Sequence, residues 1–199
     1  MATYGAPNLG TRKHSAGGQG ARGGEVRIIG GEWRRRRIAF PGTEQLRPTP
    51  DRVRETLFNW LGQDLTGLSC LDLFAGSGVL GLEAASRGAA CVTLVENQRR
   101  VVAALQESVT MLGANQISVV HADALEFLSR DGAAYDVVFI DPPFADGPPI
   151  AVMESLSRRL AAGARVYVEC DRKFEPPQGW RTLRHDRAGM VHFHLMQVG

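Results

Sequence analysis

The stretch LDLFAGSGVLGLEAASRG, residues 71–88, decides the fold. It opens as an apolar strand, turns through Gly76, Gly78 and Gly81 in a GxGxxG spacing, and runs on as a helix. Glycines at such a turn let the backbone approach a bound molecule closely, and the carboxyl end of the first strand in a doubly wound sheet faces the ligand crevice. Downstream the unit of strand, loop and helix repeats: CVTLVE then RRVVAALQESVTMLG, ISVVHAD then ALEFLSRDG, YDVVFIDPPF then IAVMESLSRRLAAG, and finally RVYVEC, residues 165–170. This alternation predicts a mostly parallel α/β sheet, its apolar strands covered on both faces. WRTLRHD and VHFHLMQ, hinged at Ala188-Gly189, read as a closing antiparallel pair.

Upstream of the repeat, VRIIG and RRRRIAF read as a short hairpin, LRPTP as a break, and the stretch that follows as a helix with Asp51 as N-cap and Gly62 as stop. Val53, Leu57, Phe58, Trp60 and Leu61 recur at helical spacing and should pack on the body. The first 24 residues are rich in Gly, Ala and Ser and read as a flexible tail, residues 25–64 as an extension, and 65–199 as the main domain. Residues 1–54 carry 11 Lys or Arg against 4 acids while the remainder carries 12 against 17, so a basic front end sits on an acidic body. That contrast points to a polyanionic partner, with Arg34, Arg35, Arg36 and Arg37 as its contacts. A solvated charged tail is the plainer alternative.

No apolar run is long enough for a membrane span or a signal peptide, so a cytoplasmic protein is expected. Cys70, Cys91 and Cys170 are an odd number, far apart and set in apolar segments, so they read as reduced core thiols. His192 and His194 share a strand face, but two ligands without a third do not make a zinc site, and no metal is expected. Asp64, Asp131 and Asp136 read as caps and turn formers.

The chemistry lies at the strand ends. Asp72 and Ala75 flank the turn with Gly76, Ser77 and Gly78, and Glu96 ends the second strand 20 residues after Gly76, placed to accept both ribose hydroxyls of an adenosine. A nicotinamide dinucleotide and S-adenosylmethionine satisfy these features equally. Asp123 with the Ala124 amide could read an adenine edge, or Asp123 could simply cap the next helix. Asp141-Pro142-Pro143-Phe144, at the end of the fourth strand, separates the two cofactors. An exocyclic base amine is a poor nucleophile because its lone pair is delocalised into the ring. Asp141 and the Pro142 carbonyl can each accept one N–H, Pro143 stiffens the turn and Phe144 stacks on the base, so that orientation supplies most of the rate. The plain alternative is a rigid turn with a buried Phe.

RIIGGEWRRRR, LRPTPDRVRETLFNWLG, LDLFAGSGVLGLEAASRG, VEN and FIDPPF together resemble the RsmD family of bacterial 16S ribosomal RNA guanine-N2 methyltransferases, over roughly residues 25–197. The resemblance implies a seven-stranded Rossmann-like class I fold that uses S-adenosylmethionine. It places Gly76, Ser77 and Gly78 near the methionine part of the cofactor, Glu96 on its ribose and Asp123 on its adenine. It also puts Asp141, Pro142, Pro143 and Phe144 around the target guanine, and Arg47, Thr49 and Arg52 at the border of the site against RNA or the cofactor. It implies the small ribosomal subunit or its 16S RNA as partner, with the chain acting as a monomer. Four consecutive arginines stand where relatives often have a glycine. Competing readings are an amino-methyltransferase for another base, a nicotinamide-dependent dehydrogenase, and a non-catalytic RNA-binding module.

Overall fold

The computed structural model describes residues 23–42, 48–130, 132–143 and 147–199. The readings made for residues 1–22, Arg47, Asp131 and Phe144 lie outside them. A two-stranded antiparallel hairpin, β1 (Gly24–Arg27) and β2 (Arg37–Phe40), precedes helix α1 (Asp51–Leu61). Then come β3 (Ser69–Asp72), α2 (Val79–Ser86), β4 (Cys91–Glu96), α3 (Arg99–Leu112), β5 (Ile117–His121), α4 (Ala124–Arg130) and β6 (Tyr135–Ile140). Helix α5 (Ile150–Leu156), a 3-10 turn (Ser157–Arg159), β7 (Leu160–Cys170), β8 (Trp180–Ala188) and β9 (Val191–Val198) complete the chain.

The sheet order is β5-β4-β3-β6-β7-β9-β8, parallel from β5 through β7, with β9 antiparallel to both of its neighbours. Sequence order reverses between β3 and β6, which opens the crevice that such sheets use for ligands. Side chains alternate across the sheet. Val137, Phe139 and Tyr167 pack with α1, α2 and α3, while Val138, Ile140 and Val168 pack with α4 and α5. Asp72, Asp141 and Glu169, each in phase with the first set, therefore belong to the α1 side of the sheet.

Three expectations need correction. The helix read over residues 150–163 ends at Leu156, because Leu160 already pairs with Tyr135 of β6 and sheet pairing overrides the helical appearance of SRRLAAG. Asp51 is not the N-cap: Pro50 holds that position, its carbonyl accepting the Val53 and Arg54 amides, and Asp51 instead binds Arg27 and Arg54. Cys91 is exposed at the start of β4, whereas Cys70 and Cys170 are buried. The hairpin, the Gly62 stop (φ +100°) and the closing antiparallel pair appear as read.

A buried ion pair locks the front of the chain to this frame. Arg54 and Glu83 are both fully buried, with Nη1 donating to Oε1 at 2.5 Å. The same carboxylate accepts the Ile29 amide at 2.6 Å and the Gly30 amide at 3.2 Å, and Arg87 adds an ion pair at 3.3 Å. Ser86 accepts the Trp33 amide and donates to the Gly30 carbonyl, so α2 carries most of the polar anchorage of the residues between β1 and β2. Removing one partner of such a pair strands the other in the core. Arg54→Met should lower the unfolding free energy in urea by about 3–5 kcal/mol, whereas a loss of only a surface pair's worth, under about 1 kcal/mol, would show that the pair does not carry the attachment.

Candidate active site

A cavity of about 490 Å3 opens at the carboxyl ends of β3, β4 and β6. Its floor is the glycine turn. The Ala75 amide donates to the Val95 carbonyl at 2.9 Å and the Gly78 amide to the Ala75 carbonyl at 2.6 Å, which curls the chain back before α2. Gly78 has φ +75°, the left-handed region, and a Cβ there would stand 2.4 Å from Leu105. Gly81 answers to packing instead: its amide reaches Asp72 Oδ2 at 3.2 Å, and a Cβ would fall 2.2 Å from Leu94. Ser77 and Ala75 are buried in the wall of the cavity.

Glu96 accepts the Gly76 amide on Oε2 at 3.0 Å and the Gln98 amide on Oε1 at 2.8 Å. The carboxylate is thereby fixed, and each oxygen keeps a lone pair for a ribose hydroxyl. Asp123 accepts the Leu125 and Glu126 amides on Oδ1, at 2.9 and 3.1 Å, so it caps α4 as the plainer reading held while still lining the cavity beside the buried Ala124. Asp141 is half-buried and its Oδ2 accepts the Thr49 hydroxyl at 3.3 Å. Pro142 is buried and Pro143 exposed beside it.

Asp72, Glu96, Asp123 and Asp141 all line this cavity, and no Lys, Arg or His lines it among the described residues. Burial pushes the carboxyl groups of Asp72 and Asp141 up to about 7, with neighbouring acids adding to the effect on Asp72. Such a wall opposes the negatively charged pyrophosphate of a dinucleotide and favours a cation, and the sulfonium and ammonium of S-adenosylmethionine supply two. The residues present fit that cofactor: the glycine turn and Ser77 for its methionine part, Glu96 for the ribose and Asp123 with Ala124 for the base.

The arginines divide. Arg37, paired with exposed Glu25 at 3.2 Å, lines a second hollow that shares Pro48 and Thr49 with the cavity. Arg52 is exposed in the first turn of α1. Arg34, Arg35 and Arg36 are exposed in the turn anchored at Ser86, eight residues along α2 from Gly78 and so about 12 Å from the cavity floor. Arg35 has φ +74°, a conformation that glycine adopts without cost, which resolves the geometry of a turn built without one. Three contributors had no motif to announce them: Thr49, reached only through the resemblance, and Tyr167 with Glu169 on β7. Their one signal is an acid inside the apolar run RVYVEC.

The family model described as "Conserved hypothetical protein 95" matches residues 26–197. This chain belongs to that family. It is 44% identical over 179 residues to Ribosomal RNA small subunit methyltransferase D of Escherichia coli, covering 87% of this chain and 90% of the relative. The protein of the same name from Haemophilus influenzae is 40% identical over 182 residues, covering 87% and 94%. Among solved structures, yhhF from Escherichia coli superposes with a TM-score of 0.80 at 45% identity, covering 88% of this chain and 98% of that one. The resemblance read from the sequence is borne out, as is the methyltransferase fold.

Asp72 carries a pH prediction. Its folded-state pKa, raised to about 7, lies above the unfolded value of 3.8, so the stability of the neutral folded form is present at acid pH and lost as pH rises through 7. The ligand-free protein should be less stable in urea at pH 8 than at pH 5, and Asp72→Asn, neutral throughout, should shrink that difference by up to roughly 3 kcal/mol, two pH units at about 1.4 kcal/mol each. An equal difference in the variant would contradict an uncharged Asp72.

Proposed function

We propose that the protein transfers a methyl group from S-adenosylmethionine to the exocyclic N2 amine of a guanine in small-subunit (16S) ribosomal RNA, acting in the cytoplasm as a monomer. The observation that carries this reading is the acid-walled cavity that meets Asp141-Pro142-Pro143 at the switch point, in a chain of this family. The cofactor supplies an electrophilic methyl on a sulfonium. The chain's own residues hold and aim the amine: the Asp141 carboxylate and the Pro142 carbonyl each accept one N–H, turning the nitrogen lone pair toward the methyl. As the nitrogen is methylated it releases a proton, and a carboxylate with an affinity near neutrality is suited to take it.

The names of the two curated relatives, which specify small-subunit ribosomal RNA, support the substrate. The acid wall speaks against a dinucleotide dehydrogenase. A non-catalytic module would have no use for a half-buried, oriented Asp141. No helix among the described residues is long and apolar enough to cross a membrane, and none of their His, Cys, Asp and Glu gather in threes around a metal position.

Two measurements test the division of labour. Asp141→Ala should lower turnover by roughly 10²-fold or more with cofactor affinity nearly unchanged, and Glu96→Ala should do the reverse, weakening calorimetric binding by roughly 1.5–3 kcal/mol per lost bond. Wild-type turnover in the first variant, or wild-type affinity in the second, would overturn the assignment.

Replacing Arg34, Arg35, Arg36 and Arg37 with Gln should weaken RNA binding and flatten its salt dependence, by roughly 0.7–0.9 in the log–log slope per lost phosphate contact, with saturated turnover kept. An unchanged slope would make the block a solvated surface.

A further inference from the structure

Behind Asp141, on the side away from the cavity, lies a second buried acid that the mechanism above does not use. In the register of β6 with β7, Phe139 pairs with Tyr167 and Ile140 with Val168, so the next step brings Asp141 beside Glu169. Glu169 is 3% exposed, Tyr167 is fully buried and Thr49 is 5% exposed. The Tyr167 hydroxyl donates to Glu169 Oε1 at 2.7 Å. Thr49, whose hydroxyl donates to Asp141 Oδ2, is also a neighbour of the Glu169 carboxyl. No arginine or lysine makes an ion pair with Glu169 or Asp141 among the described residues.

A count of protons decides the arrangement. Thr49 has one O–H and two carboxyl neighbours, so it can satisfy both only by donating to one and accepting from the other. Two adjacent carboxylates without a cation cannot both ionise in a buried site, so the pair holds one proton. Glu169 lies deep and Asp141 lies on the cavity wall. We infer that Glu169 is a positioning residue that keeps this proton, donating through the Thr49 hydroxyl so that Asp141 stays ionised and oriented toward the substrate amine. The chain of donors runs Glu169 carboxyl, Thr49 hydroxyl, Asp141 carboxylate, with the Tyr167 hydroxyl fixing the other oxygen of Glu169. Burial and the nearby Asp141 hold Glu169 well above the ordinary carboxylate range, in keeping with its place at the protonated end. The other ionisable groups facing the pair are Asp72 on β3, which raises the cost of a second negative charge, and Tyr167 on β7, which burial and the acids keep neutral. Toward this pair Arg54 reaches no further than the Thr49 carbonyl, at 3.1 Å, so it places Thr49 without neutralising either acid.

The inference rests on Asp141 as the acceptor of the amine, and the test separates the two. Glu169→Gln keeps an N–H donor for Thr49 and a carbonyl acceptor for Tyr167, and so copies the protonated acid. Turnover at saturating RNA and cofactor should stay within about threefold of wild type, with the acid limb of its pH profile unmoved within about 0.3 units. Glu169→Ala should lose about tenfold in turnover with cofactor affinity kept. Infrared difference spectra of folded, ligand-free wild type minus Glu169→Gln at pH 8 should show the carbonyl band of a protonated carboxylic acid, a readout that needs no catalysis and stands even if the Ala variant fails to fold. The assignment is overturned if Glu169→Gln falls as far as Glu169→Ala, if its acid limb moves down by about a unit or more, as it would were Glu169 the ionised partner, or if no protonated band is lost. Asp141→Ala is run alongside. Wild-type turnover there would remove the amine-acceptor reading, while the infrared band would still report who holds the proton.

Discussion

The placing of Asp141 depends on one carboxylate that lies outside the cavity. Glu83, in the middle of α2, accepts hydrogen bonds from the Ile29 and Gly30 amides and from the Arg54 and Arg87 guanidinium groups. A buried carboxylate stripped of such donors would cost several kcal/mol, so the four groups are held to it as a set. The consequences run outward from Arg54. Its Nε donates to the Thr49 carbonyl, Thr49 donates to Asp141, and Asp141 stands on the cavity wall. The front of the chain is thus wired through its backbone and two side chains to the group proposed to meet the substrate amine.

This wiring reconciles two demands. In the proposed reaction the site needs carboxylates that lie close together without cations, so that a positively charged cofactor is welcome and Asp141 can accept an amine proton. Such a site repels itself. Placing Arg54 and Arg87 one layer back, against Glu83, and leaving the pocket face to acids and backbone amides keeps this positive charge out of the cavity while still using it to hold the extension in place. The exposed arginines of the β1 to β2 turn then remain available to a polyanion.

Most of the frame could be read from the chain because its signals are local. The glycine turn, the strand-ending Glu96 and the DPP segment each lie within a few residues of the strand that presents them, and parallel sheets place successive strand ends on one edge. Errors arose where a distant partner overrode local appearance. SRRLAAG looks helical until Leu160 finds Tyr135, and Asp51 looks like a cap until Arg27 and Arg54 claim it. Arg54 and Glu83 sit in ordinary amphipathic text, and nothing in either helix announces a pairing across 29 positions. Glu169 left a mark, an acid within an apolar strand, but its meaning depends on a register with β6 that only the folded sheet provides. Asp123 shows the converse, since the sequence offered two roles and the fold accommodates a cap within the cavity wall.

The account stands or falls on the base that is modified. Mass spectrometry of small-subunit ribosomal RNA from cells lacking this protein, complemented with either the wild-type chain or its Asp141→Ala form, is the most direct test. The account predicts one N2-methylguanosine that is absent without the protein, restored by the wild type and not restored by the variant. Loss of a methyl from a different base or from large-subunit RNA, or full restoration by the variant, would contradict it.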